Sequence, residues 1–363
     1  MRSLWLPLYL HAVRITHGSM RILRFVSLTV FFFANVLLVG AEREAVKVLT
    51  IGNSFANDAT FYLKAIAEDG GKQFVLGKAN IGGCSLERHA RHLREAEAGD
   101  PSGRAYKNIE DRATGEFRDM SLPELLVADQ WDFVTIQQQS LASCQLETYQ
   151  PHADELIAAI RKYAPTAEIL VHQTWAYRDD HSAFQRGDGF NPEVMQAQLR
   201  AAYRSFAASK SLRILPVGEA FDLARTTPRW TWQRDSDYDY ANPAIDRVPL
   251  ETGSLFQGWR WSKDAEGNPR FVLDGFHSSI AGRYLGAAVW YQVLFDADTV
   301  PTGNVPKALT AEEATDLRTY AISAVQAQRD YEAGILPRAA RLKDREIRDA
   351  ADARGAAALA VAR

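Results

Sequence analysis

The chain has 363 residues, 47% of them hydrophobic, and a formal net charge of −3. That is enough apolar material for one large domain or two small ones. The acidic balance excludes nucleic acid as a principal partner, because phosphate binding needs a basic surface. In chain order, the first segment reads as a targeting signal rather than fold. Arg21 and Arg24 supply a short basic region after Met20, Phe25 to Val39 an apolar run, and Val39-Gly40-Ala41 a small-residue cleavage site. Together they predict a secretory signal peptide over residues 1–41, with Met20 as an alternative start. Cleavage gives a secreted or periplasmic protein without stable membrane insertion. An uncleaved run, only slightly short for spanning, makes a membrane anchor.

Strand-like runs follow at Val46–Ile51, Gln73–Ala79, Asp132–Gln137, Ala167–His172 and Leu212–Val217. Helical patterns lie between and after them at Asp58–Asp69, Pro151–Tyr163, Pro192–Ala208 and Ser279–Leu294. This alternation predicts an α/β fold with a five-stranded parallel sheet covered by helices on both faces. In such sheets ligands bind beyond the carboxyl ends of the strands. Residues 99–120 are polar and read as a hairpin or excursion. Residues 226–270 interleave Trp230, Trp232, Tyr238, Tyr240, Phe256, Trp259 and Trp261 with charges and glycines. They read either as an insertion covering the active-site edge or as a long loop anchored by its aromatics. A capping box, Thr310-x-x-Glu313, opens a packed C-terminal helix within residues 306–335. Residues 336–363 are rich in Ala, Arg, Asp and Glu and read as a solvated helix or disordered tail. Residues 42–305 are then the main domain.

The chemistry concentrates in loops after the strands. Ile51-Gly52-Asn53-Ser54-Phe55-Ala56 ends the first run and delivers a serine to a helix; Asp274-Gly275-Phe276-His277 precedes another helix. A serine nucleophile needs a base, and the base an orienting carboxylate. Ser54, His277 and Asp274 can fill those roles, the three-residue spacing of the last two suiting one helical turn. Gly82-Gly83-Cys84-Ser85 follows the second strand and Gln137-Gln138-Gln139-Ser140 the third. His172, Gln173, Trp175 and Tyr177 follow the fourth, and can either bind a sugar or pack as buried residues. His89 and His92 lie three apart but lack a third ligand, so they read as an exposed helix face. There is no phosphate-binding glycine loop or dinucleotide fingerprint, and no cofactor or metal is expected. The two cysteines, Cys84 and Cys144, each lie just beyond a motif loop. They can pair in an oxidising compartment or remain separate buried thiols.

The order of serine loop, glycine loop, amide loop and Asp-x-x-His resembles the four blocks of the SGNH (GDSL-like) hydrolase superfamily. The nearest resemblance is to an uncharacterised branch, through Gly52–Phe55, Gly82–Glu87, Gln137–Gln139, His172–Tyr177 and Asp274–His277. It spans roughly residues 46–300 and implies a three-layer flavodoxin-like fold and serine ester hydrolysis. It also implies three oxyanion donors: the Ser54 amide, a glycine amide and a side-chain amide. Gly83, leading into the next helix with Ser85 as its cap, is the better glycine. The superfamily's asparagine is replaced by glutamines, of which Gln138 is preferred; Asn53, Gln137, Gln139, Gln173, Trp175 and Tyr177 become candidates for substrate contact. The expected activity is a secreted esterase deacetylating a carbohydrate or polysaccharide. The alternatives are a lipase or thioesterase on the same fold, or a non-catalytic carbohydrate-binding relative.

Overall fold

The computed structural model describes residues 45–334. The expected signal peptide and the segment 336–363 lie outside them. The first strand, β1 (Val46–Gly52), is followed by α1 (Ser54–Ala59), α2 (Leu63–Asp69), β2 (Phe74–Asn80) and α3 (Leu86–Glu97). A short antiparallel hairpin, β3 (Tyr106–Glu110) and β4 (Phe117–Met120), occupies the polar excursion. Next come α4 (Leu122–Val127), β5 (Phe133–Ile136), α5 (His152–Tyr163), β6 (Glu168–His172), α6 (Pro192–Lys210), β7 (Arg213–Leu215) and α7 (Val217–Arg225). A second hairpin, β8 (Phe256–Lys263) and β9 (Pro269–Ser278), leads into α8 (Ile280–Leu294).

Five strands form one parallel sheet in the order β2-β1-β5-β6-β7. This is the flavodoxin-like order, which reverses direction beside its first strand. β1 lies inside the sheet, between β2 and β5, and is buried from Val48 to Gly52, as expected of a parallel strand covered on both faces. α8 is buried at nearly every position, so it reads as apolar all round rather than as an amphipathic stripe. Residues 311–334 form α9. Thr310 and Glu313 exchange side-chain bonds with each other's backbone amides at its start. Its inner face buries Ala314, Leu317, Ala321, Ala324 and Val325.

Three boundaries differ from expectation for local reasons. The helix expected at Asp58–Asp69 is two helices, α1 beginning already at Ser54. The Thr60 hydroxyl and amide both turn back to the Ala56 carbonyl, at 2.7 and 3.1 Å, and close the first one. The fifth strand stops at Leu215, because Pro216 cannot continue the ladder. The aromatic segment does not end at residue 270: its hairpin runs on through Asp274 and His277 to Ser278.

Among the described residues no helix is long and apolar enough to cross a membrane.

Candidate active site

Ser54 is the first residue of α1, at the carboxyl end of β1. Asn53 caps this helix, its Oδ1 accepting the Phe55 amide at 3.0 Å. Capping leaves the Ser54 amide at the first helical position, where no intrahelical carbonyl can take it. A Cβ on Gly52 would lie 2.7 Å from Gln137 Oε1, so the turn admits only glycine without rearrangement. Ser54 Oγ lies 2.8 Å from His277 Nε2. His277 Nδ1 lies 3.0 and 3.1 Å from the two oxygens of Asp274. Serine, imidazole and carboxylate thus form a continuous hydrogen-bonded chain, although 223 residues separate Ser54 from His277.

The placement of Asp274 and His277 has a different cause from the helical turn expected. Both lie on β9, where residues three apart would point to opposite faces. Pairing Phe256 with Ser278 but Gly258 with Asp274 sets two residue steps on β8 against four on β9, a bulge spanning Gly275 to His277. Within it the His277 amide donates to Asp274 Oδ1 at 3.2 Å, so the carboxylate grips both the backbone and the ring of the histidine. Gly258 takes a left-handed φ of 79°, and a Cβ there would collide with the Glu251 carboxylate. Burial pushes the Asp274 carboxyl up, but the His277 hydrogen bonds and charge, with Arg260 at 3.3 Å, outweigh it and hold it below the ordinary carboxylate range.

Asp58, one helical turn after Ser54, escaped the sequence reading. Its carboxylate accepts the Ser278 amide at 2.8 Å and Arg283 Nε at 3.0 Å, tying the serine helix to the residue after the histidine. Burial raises its pKa against the opposing charge of Arg283. Its i, i+4 spacing from Ser54 was the available signal.

The histidines of α3 are buried, contrary to the exposed face expected of them. His89 Nε2 donates to the Gly52 carbonyl at 2.9 Å, and its Nδ1 accepts the Tyr106 hydroxyl at 2.8 Å. This is a neutral imidazole, its pKa pushed down to about 4 by burial. It braces the turn before Ser54. His92 bonds Glu95 at 2.8 Å. Among the described residues no group of three or more His, Cys, Asp or Glu could hold a metal.

The glutamine loop is built differently from expectation. Gln138 Oε1 accepts the Leu86 and Gln139 amides at 2.9 and 2.8 Å, and Nε2 donates to Thr148 at 2.9 and 3.0 Å. Its amide is consumed in clamping the start of α3 to this loop, so the oxyanion role assigned to Gln138 is corrected. Gln137 Nε2 donates to Asn53 Oδ1 at 2.7 Å, and Gln137 Oε1 accepts His172 Nδ1 at 3.2 Å. Gln139 Nε2 donates to Ser140 Oγ at 3.0 Å. Asn53 completes the network by donating to the Cys84 carbonyl at 3.1 Å, which draws the glycine loop against the serine turn. The backbone amides of Ser54 and Gly83 have no hydrogen-bond partner among the described residues.

This arrangement makes Gln138 a brace. Gln138→Ala strands the buried Leu86 amide and should lower stability by about 1–3 kcal/mol. Turnover of a small ester should stay within roughly tenfold, whereas loss of an oxyanion donor typically costs a hundredfold or more. Denaturant unfolding and initial rates on one preparation separate the two. A hundredfold loss of kcat at unchanged stability would reinstate Gln138 as a donor.

The residues after β6 also turn inward. Trp175 is fully buried, its ring 4.5 Å from both Phe221 and Phe55 and its indole N–H donating to the Phe276 carbonyl at 2.9 Å. Tyr177 is buried and bonds Ser140. Gln173 exchanges hydrogen bonds with Glu219 at 2.9 and 3.2 Å. Buried Gln137 and Asn53 are likewise occupied. The sugar-contacting roles considered for Gln173, Trp175 and Tyr177 therefore give way to packing behind the site. Cys84 and Cys144 are both free thiols, each pushed up to about 12 by burial. Each faces its own carbonyl, Cys84 that of Ser85 and Cys144 that of Met195.

The hairpin is fixed to the sheet domain by an ion cluster centred on a buried arginine. Arg178, fully buried, bonds Asp180 and Glu251 and lies 4.3 Å from the centre of the Trp232 ring. Glu251 also accepts the Trp259 amide at 2.7 Å, and Asp180 the Trp259 indole at 3.0 Å. The Arg178 amide donates to the Gly275 carbonyl at 2.8 Å, one residue from Asp274.

No curated protein matches the chain. Among solved structures, it is similar to a DUF4886 family protein from Bacteroides uniformis at 25% identity and a TM-score of 0.57, over 78% of this chain and 95% of that one. A candidate SGNH hydrolase from Slackia heliotrinireducens aligns at 18% identity and a TM-score of 0.39, over 69% and 98% of the respective chains. A candidate GDSL-like lipase from Parabacteroides merdae aligns at 14% identity and 0.39, over 71% and 98%. The sequence pattern of a domain of unknown function, DUF4886, matches residues 47–241, more than half the chain. The chain belongs to the DUF4886 family.

Proposed function

We propose that this protein is a serine ester hydrolase that removes a short acyl group from a carbohydrate. One observation carries the reading: the chain from Ser54 Oγ through both nitrogens of His277 to Asp274, at 2.8, 3.0 and 3.1 Å. In this mechanism His277 takes the Ser54 proton as Oγ attacks the ester carbonyl, and Asp274 stabilises the resulting imidazolium. The imidazolium returns the proton to the departing alcohol, leaving an acyl-serine. Water, activated by the same imidazole, then releases the acid. The Ser54 and Gly83 amides are the donors available to the developing oxyanion. The carbohydrate part rests on the export signal read from the sequence and on the exposed Arg260 of the β8–β9 hairpin, 3.3 Å from Asp274.

The test is acetate release from a panel of acetylated polysaccharides, with Ser54→Ala as the control. Release by the wild-type protein should fall by about a millionfold in the variant, the scale at which a serine triad loses its nucleophile. Equal release by both proteins would exclude Ser54 as nucleophile. Hydrolysis of long-chain acyl esters without any acetate release would favour the lipase or thioesterase reading.

A further inference from the structure

The β8–β9 hairpin presents two different faces. Its register pairs Gly258 with Asp274, Arg260 with Val272 and Ser262 with Arg270, which places these residues on one face. Trp259, Leu273, Trp261 and Phe271 occupy the other. The aromatic face is covered: Trp259 stacks on Phe271 at 4.8 Å, and Tyr240 and Tyr238 pack against these two rings at 5.7 and 5.6 Å. On the opposite face Arg260 is 49% exposed and Arg270 is exposed. Arg270 has no ion pair or side-chain hydrogen bond among the described residues. Two guanidinium groups therefore lead outward in a row from the triad carboxylate, on a chain whose net charge is −3.

The position of Arg260 has a cost for catalysis. A cation at 3.3 Å from Asp274 stabilises the carboxylate without help from His277, and so weakens the pull of Asp274 on the imidazolium. One contact to Asp274 also leaves most of the guanidinium donors unused, and their fork geometry matches a carboxylate.

We propose that this face of the hairpin is a subsite for a carboxylate on the substrate, so that the ester belongs to an acidic, uronate-containing saccharide. Arg260 takes the carboxylate nearest the scissile ester, and Arg270 the next one along the chain. That the ligand is a substrate rests on the esterase reading; that the face binds a carboxylated saccharide does not.

Calorimetric binding to the Ser54→Ala protein tests the subsite without needing turnover. The probes are an O-acetylated oligogalacturonate and an O-acetylated xylo-oligosaccharide of equal length. The acidic probe should bind about a hundredfold more tightly at low ionic strength, about tenfold for each of the two contacts, and the preference should shrink with added salt. Adding Arg270→Gln, which touches no triad residue, should reduce the preference about tenfold, the scale of one charge-assisted contact. Arg260→Gln in addition should abolish it, and Arg260→Lys restore part. Equal binding of the two probes, binding of neither, or a preference that survives the double substitution overturns the proposal. Acetate release from both probes by the wild-type protein, with no preference between them, leaves the esterase standing and removes the subsite. Preferential binding of the acidic probe with no acetate release removes the esterase and leaves the subsite.

Discussion

Asp274→Asn is expected to lower kcat on a short aryl ester by about ten-thousandfold, the scale this change carries in serine triads, while leaving the protein folded. The asparagine keeps the oxygen that accepts the His277 amide at 3.2 Å, so the bulge should survive. What changes is the ring. A carboxylate can only accept, so it requires a proton on Nδ1 and leaves Nε2 free to take the Ser54 proton. An asparagine NH₂ can donate to Nδ1 and place the proton on Nε2 instead, where the imidazole can no longer act as base. Initial rates measured beside a denaturant titration check the result. A variant within tenfold of wild type at unchanged stability would show that Asp274 is not the orienting acid.

Mild acid should destabilise the fold through two histidines that lie outside the proposed triad. His89 and His172 are held neutral inside the protein, with pKa values pushed down by burial to about 4 and about 3. In the unfolded chain both titrate near 6.5. Between those values the unfolded state binds more protons than the native state, so stability is fully present above about pH 6.5 and falls as the pH is lowered. Each pH unit below 6.5 is worth about 1.4 kcal/mol per group. The loss from pH 7 to pH 5 is therefore about 2 kcal/mol each, roughly 4 kcal/mol together. His89 stops contributing further near pH 4 and His172 near pH 3. Urea unfolding at pH 7, 6 and 5 measures the slope. His89→Gln, which keeps a donor for the Gly52 carbonyl, should remove about half of it. A wild-type stability that is flat over this range would contradict the burial of neutral imidazoles at these positions.

The parts legible in the sequence are those governed by short-range pattern. Val46–Ile51 reads as a buried parallel strand because its apolar run is nearly continuous, and Gly52-Asn53-Ser54 reads as the turn because glycine and a capping side chain are needed at that point. The residues of the hydrogen-bonded chain could be named for the same reason, since each ends or begins an element. The failures share a different cause. Whether Asp274 and His277 meet through a helical turn or a bulge depends on the partner strand β8, which local spacing does not encode. Its place in a motif points to Gln138, but the use of its amide is decided by Leu86 and Thr148, 52 and 10 residues away. Trp175 lies in a loop after a strand, like a ligand-binding residue, and only the rings of Phe55 and Phe221 on either side reveal that it faces inward. Polar and aromatic residues in loops are ambiguous until their tertiary partners are known.

The three residues of the proposed triad belong to regions of unequal robustness. Ser54 follows an interior strand of the parallel sheet, whereas His277 and Asp274 sit on a two-stranded ribbon tied down by Arg178, Asp180 and Glu251 and, beside the histidine, by Asp58 and Trp175. A ribbon of that kind can lift at a fraction of the free energy needed to melt the sheet. If the ribbon opens before the sheet melts, loss of activity on warming or in denaturant should precede loss of secondary structure. The same architecture separates the proposed nucleophile from the face that would choose the substrate. On the proposed reading, the ribbon can change its outward-facing side chains, and with them the choice of substrate, while the sheet that carries Ser54 stays as it is.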